Sequence, residues 1–340
     1  MNGRVAPALD IEPAEALASV PMDNFLENTF AEKVCIPLLR NAQNSDGGWG
    51  FHSGSQSRVE PTCWAVKALA SREGPAKVSD SDDRSAMARG LEFLVSAQLA
   101  DGSWSATPEE KTGCWVTSLV CWVLSGAGDG KFSKAIDGGL RWICDDWPRD
   151  SSWLQKWVRK FSASSRLTRQ NPALRGWGWT PNTSSWTEPT AFALLALESP
   201  AATQLGRLAE KRKKLGEAVL YDRMCAGGGW NCGNPEVYGV AGEPLVIPTT
   251  WALLALRRYP ERRENVESLV WMEKNFTKIQ APGSHAVAQI CLAAHGRSRD
   301  GNTPKSDEFH AKNESLGSVQ VASWTVLAES DPRSWLAAGA

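Results

Sequence analysis

Two kinds of helical pattern share this chain. In SDDRSAMARGLEFLVSAQ (81–98) the apolar residues Met87, Leu91, Leu94 and Val95 form one stripe, and Gln98 closes the segment. A one-sided stripe of this period predicts a helix with one face on a core and the other in solvent. WAVKALA (64–70), AFALLALE (191–198) and WALLALR (251–257) are apolar nearly all round. A helix without a polar face is surrounded by protein on every side. The stripes predict an outer layer of helices and the apolar segments an inner one.

The two kinds alternate, and a Gly/Trp turn joins them. The turns read DGGWGF (46–51), DGSWSA (101–106), RGWGWT (175–180) and GGGWNC (227–232). After them come EPTCWAVKALA (60–70), EKTGCWVTSLV (110–120), EPTAFALLALE (188–198) and IPTTWALLALR (247–257). A recurrence of roughly fifty residues marks one repeated supersecondary unit. Pro61, Pro189 and Pro248 stand where the first turn of a helix tolerates a missing N–H, and a Thr follows each. The predicted pairs are 22–43 with 60–71, 80–99 with 112–125, 131–146 with 188–198, 204–225 with 247–258, and 261–277 with 284–295. A degenerate sixth is 306–315 with 317–329. About six helical hairpins close into an all-α (α/α)6 toroid with a cavity at one end.

Two stretches break the period. Residues 147–175 are basic, with Arg149, Lys156, Arg159, Lys160, Arg166, Arg169 and Arg175, and residues 231–246 are rich in Gly and Pro. Each joins an outer helix end to an inner helix start, which predicts a place at the cavity mouth. The expected organisation is a loose N-terminal arm (1–20) and a single toroid domain (21–340) with loop insertions at about 147–175 and 231–246.

Composition narrows the chemistry. A net charge of -1 over 340 residues argues against nucleic acid as a partner. Seventeen Trp against three Tyr supply packing and cation–π faces. Eight Cys have no disulfide or zinc spacing and read as free thiols in a reducing, cytoplasmic setting. The N-terminus is not a signal peptide, and no apolar run approaches a membrane span. Peripheral membrane contact stays open, as does oligomeric state. Neither a P-loop nor a dinucleotide fingerprint is present, so no cofactor and no metal are expected.

Arg89-Gly90-x-x-Phe93-Leu94-x3-Gln98-x3-Gly102-x-Trp104 matches the QW motif of squalene–hopene and oxidosqualene cyclases, and Leu39-x3-Gln43-x3-Gly47-x-Trp49 is a partial second copy. Over about 22–330 the chain resembles the prenyltransferase/squalene-cyclase repeat family, at half the length of a two-domain triterpene cyclase. The resemblance implies an α/α toroid whose aromatic-lined cavity takes an isoprenoid. It also implies a class II cyclase chemistry, metal-independent cyclisation or isomerisation. There the middle Asp of D-x-D-D-T-A, at an inner helix start, protonates an alkene or epoxide.

Asp80-Ser81-Asp82-Asp83 is a literal D-x-D-D, but it opens an outer helix, where Asp residues cap free N–H groups. It reads as a decoy. Laying D-D-T-A over the inner helix starts puts Glu60, Glu110 and Glu188 on the acid's position and Ile247 on the fourth. Glu for Asp and Pro for its neighbour depart from the family pattern. An element repeated in three units is usually part of the unit, and a Glu there also reads as structural, accepting its own backbone N–H groups or tying to the next turn. Glu188 is the preferred acid, because Trp177, Trp179 and Trp186 share its turn and would desolvate it. Trp64, Trp115, Phe192 and Trp251 recur in the first turns of inner helices; with Trp179 and Trp186 they are the candidate isoprenoid-binding residues. As core residues they need no function. Two alternatives to a cyclase remain: a non-catalytic terpenoid- or partner-binding toroid scaffold, and a carbohydrate-active toroid enzyme using paired carboxylates.

Overall fold

The computed structural model describes residues 29–72, 81–127, 130–146, 170–171, 173–297 and 317–336. The N-terminal arm, the sixth outer helix expected at 306–315 and most of the basic insert lie outside the described residues. Six inner helices are α2 (Val59–Ala70), α4 (Val116–Gly126), α6 (Thr187–Leu197), α8 (Val246–Ala255), α10 (Pro282–Ala294) and α11 (Val319–Glu329). Each packs on the next, and α11 returns to α2, so the inner layer is a closed ring. The outer layer holds α1 (Ile36–Ala42), which continues a π-helical turn at Ala31–Cys35, α3 (Ser81–Ser96), α5 (Ser133–Asp145), α7 (Arg207–Asp222) and α9 (Arg263–Phe276). A short helix, α12 (Arg333–Leu336), follows the last inner helix. The only strands among the described residues are the two-residue arms of a hairpin, Glu236–Val237 with Val240–Ala241. The fold is the all-α toroid expected from the repeat.

The Gly/Trp turn is a joint between layers. Trp49, Trp104, Trp177 and Trp230 are buried, and their indole N–H groups donate to Leu39 O, Leu94 O, Ile143 O and Leu220 O near the end of the preceding outer helix. Each Trp backbone N–H donates to a Thr hydroxyl one turn into the next inner helix: Thr62, Thr117, Thr190 and Thr249. Gln43 and Gln98 brace their own turns, to Gly47 O and Gly102 O, and reach the next outer helix at Ala86 O and Ala135 O. Gly47 (φ 86) has no room for a side chain, since a Cβ would stand 2.7 Å from Arg89 O.

The turns also stitch the ring. An N–H at each inner helix start is left without an intrahelical acceptor. Val59 donates to Ala106 O, Trp115 to Trp179 O, Thr187 to Cys232 O, and Val319 to Phe51 O. Every acceptor lies two residues past a turn Trp in the next unit. The bond from Val319 to Phe51 joins the last unit to the first.

These bonds correct the expected register of the second unit. Thr117, not Thr112, is the counterpart of Thr62 and Thr190; Thr112 is exposed and precedes the helix. We expect Thr117→Val to cost about 2 kcal/mol in urea unfolding, because it leaves the buried Trp104 N–H unpaired. Thr112→Val should stay within about 0.5 kcal/mol. Equal costs would return the register to Thr112.

Candidate active site at the mouth of the toroid

The stitched end of the ring carries the inner helix starts. Counting two residues beyond the extended residues that precede α2, α6, α8, α10 and α11 gives Glu60, Glu188, Ile247, Gly283 and Gln320. Two residues before Thr117, the same position in α4 is Trp115. The acid's column therefore holds Glu twice, not three times. Glu110 is exposed in the turn before α4, where its backbone N–H bonds Thr107 O, and it stands outside that column. Trp115 stands in the place expected for Glu110.

Glu60 and Glu188 are within electrostatic reach of each other. Burial pushes the Glu60 carboxyl up to about 7, against the opposing pull of hydrogen-bond donors. Gln320 Nε2 donates to Glu60 Oε1 at 2.8 Å. The Trp64 indole N–H also favours the ionised form, although its geometry falls short of a full hydrogen bond. Burial likewise pushes Glu188 up to about 7, and the charge of Glu60 adds to the effect. The two groups are coupled: the charge of Glu60 favours the protonated form of Glu188, and the donors around Glu60 favour its ionised form.

The aromatic residues divide into a wall and a floor. Trp115 meets Trp179 edge-on with centroids 5.2 Å apart, and it tilts against Phe192 at 5.3 Å. Trp186 precedes α6 and is half-buried, and no ring contact among the described residues joins it to the cluster. Trp177 belongs to the turn joint, where the Arg212 guanidinium lies 4.0 Å from its ring centre. Below the carboxyls, Trp64, Phe192 and Trp251 interlock with Trp324 of α11. Trp64 stacks on Trp251 with centroids 5.1 Å apart, Phe192 tilts against Trp251 at 5.1 Å, and Trp64 meets Trp324 edge-on at 5.7 Å. The helices α2 and α8 face each other across the ring, so the Trp64–Trp251 pair closes its axis. The expected open aromatic cavity is at this level a filled layer.

Gln320 and Trp324 are functional candidates that sequence reasoning missed. The sixth unit has no Gly/Trp turn to mark its register. Spacing would have found both: Gln320 and Trp324 lie two and six residues after Ser318, as Glu60 and Trp64 do after Arg58.

Under the floor lies Lys67, on the same stripe of α2 as Glu60 and Trp64. Its Nζ is 3.8 Å from the Trp122 ring centre and 5.7 Å from that of Trp335 in α12. No carboxylate among the described residues pairs with it, and burial lowers its amine to about 7. Below that pH a charge is buried. Between about 7 and the ordinary lysine value of 10.5 the unfolded chain holds a proton that the fold does not, so this site's contribution to stability rises with pH there. We expect Lys67→Met to stabilise the protein by about 2 kcal/mol at pH 6, with the gain shrinking towards pH 10. Urea melts at the two pH values check this; a gain independent of pH would contradict it.

Beside the mouth, the hairpin Glu236–Ala241 and the residue before α8 expose apolar side chains. Tyr238 is 74% exposed, Val240 70% and Leu245 48%. These residues belong to the insertion at 231–246. Among the described residues no helix is long and apolar enough to cross a membrane.

No family model matches the chain. A drimenyl diphosphate synthase of Streptomyces showdoensis is 24% identical over 238 residues, 68% of this chain and 38% of that protein. A drimenyl diphosphate synthase of Streptantibioticus cattleyicolor is 42% identical over 72 residues, 21% of this chain and 12% of that protein. The chain thus spans well under half the length of these curated relatives. Among solved structures, a type II terpene cyclase from Scytonema superposes with a TM-score of 0.50 at 12% identity, covering 86% of this chain and 76% of that one. An α-1,6-mannanase from a Salegentibacter species superposes with 0.55 at 11% identity, covering 89% and 98%. At such identities the superpositions establish the toroid alone.

Proposed function

We propose that the protein is a class II terpene-cyclase-like enzyme: the Glu60–Glu188 pair delivers a proton to an isoprenoid bound at the mouth of the toroid. The observation that carries this reading is two half-buried carboxyls on the acid's column, both pushed up to about 7 by desolvation, above a layer of aromatic rings. Similarity to two drimenyl diphosphate synthases supports the substrate class. In this scheme Glu188 donates the proton and Glu60 stays ionised, held by Gln320. The positive charge that forms rests against the faces of Trp115, Phe192 and the floor. A donor pushed up to about 7 is a weaker acid than an ordinary carboxyl, so it suits an oxygen base such as a terminal epoxide better than an alkene. The exposed Tyr238, Val240 and Leu245 supply the apolar contact by which an isoprenoid leaves a lipid surface for the mouth.

A non-catalytic scaffold is the second reading, and the filled axis favours it, since bulky rings occupy the space an enclosed cyclase cavity would need. Incubation with linear isoprenoids, with and without a terminal epoxide, separates the two. Conversion to cyclised or isomerised product supports the enzyme; binding without conversion supports the scaffold.

A further inference from the structure

We propose that the mouth admits only the terminal end of an isoprenoid chain, because the rings of Trp64, Phe192, Trp251 and Trp324 form a closed floor beneath the carboxyls. This rests on the isoprenoid reading above and specifies which part of the substrate the site recognises.

Glu60 and Trp64 lie four residues apart on α2, and Glu188 and Phe192 four apart on α6. At the rise of an α-helix that puts the floor about 6 Å below the acids. The floor has no gap on the axis. Its rings come from four of the six inner helices, and those of the opposed helices α2 and α8 stack at 5.1 Å. Trp64 and Trp251 are each 1% exposed and Phe192 3%. Trp115, tilted against Phe192, continues the floor into a wall. A chain end that reaches Glu188 therefore has nowhere deeper to go. The rest of the substrate leaves past Ile247 towards the exposed hairpin, and its head group lies outside the barrel. Such a site discriminates substrates by their terminus and ignores their length. Trp251 and Phe192, on neighbouring helices α8 and α6, are the residues that set the depth.

The test is binding, so it does not depend on turnover. Geraniol, farnesol and geranylgeraniol are titrated against the full chain and followed by tryptophan quenching. Each isoprene unit that entered an apolar cavity would tighten binding about tenfold or more. The floor predicts affinities within about threefold of one another, whatever the length. Trp251→Ala opens the axis, and geranylgeraniol should then exceed geraniol by at least about tenfold; Phe192→Ala should act in the same direction. Where an Ala variant fails to fold, Trp251→Leu and Phe192→Leu keep apolar bulk and remove the ring. A steep length dependence in the unaltered protein, or no length dependence in either opened variant, overturns the closed floor and leaves the isoprenoid reading standing. Failure of all three alcohols to bind overturns the isoprenoid reading and the floor with it.

Discussion

Glu188→Gln is expected to lower turnover of an isoprenoid by at least about a thousandfold while leaving its binding within a few-fold. Gln keeps the size and one acceptor oxygen but has no proton to deliver, and general acid catalysis supplies factors of this order. Tryptophan quenching measures the binding and product formation the turnover. Glu60→Gln should behave differently. It removes the charge that helps to hold the Glu188 proton, and it leaves Glu188 in place. Activity should survive at low pH and fail earlier as pH rises. Glu110→Gln is the control: its carboxyl is exposed and off the column of Glu60 and Glu188, and the rate should not change. Full activity in Glu188→Gln would remove the assigned donor.

The second large effect falls on Asp83. Read from sequence, Asp82 and Asp83 cap an outer helix, and each replacement by Asn costs on the order of 1 kcal/mol. The structure separates them. Asp83 is buried, accepts from Arg40 Nε at 2.6 Å and from Arg72 Nε at 3.0 Å, and caps nothing. Arg72 continues to Glu32 in the first π-helical turn. One carboxylate thus ties α1 and the end of α2 to α3. We expect Asp83→Asn to cost about 3 kcal/mol, because it removes the buried charge that Arg40 and Arg72 share. Asp82 is exposed, and Asp82→Asn should cost less than about 1 kcal/mol. Urea unfolding at neutral pH measures both; similar small costs would restore the capping account. Loss of turnover in a folded Asp82 or Asp83 variant would place the acid on the outer layer instead.

Much of the toroid was legible because layers and turns write periodic signals. One-sided stripes marked α3, all-apolar runs marked α2, α6 and α8, and each turn Trp announced the joint between them. The second unit is ambiguous because three Thr follow its turn, Thr107, Thr112 and Thr117. Trp and Thr stand 13 residues apart in the first three units, and that constant spacing selects Thr117 over Thr112. The fourth unit departs, with 19, because the hairpin is inserted there. Glu60 and Glu188 were visible as a column, but not their mutual influence, which depends on α2 and α6 facing one space across an intervening helix. The floor was invisible for a related reason. A column of aromatic residues predicts a lined ring; whether the rings line a cavity or meet across it depends on the ring's diameter, which no periodicity encodes. Lys67 and Asp83 share this limit, since a charge in a helical pattern reads as solvated until its neighbours are known.

The pH dependence of kcat/KM on a converted isoprenoid tests proton delivery by the carboxyl pair most directly. With Glu188 protonated up to about 7, the rate should be level at low pH and fall about tenfold per unit above it. In Glu60→Gln the fall should begin at lower pH, since the neighbouring charge that raises Glu188 is gone. A rate that stays flat from pH 5 to pH 9, or an identical alkaline limb in the two proteins, would contradict proton delivery by this pair.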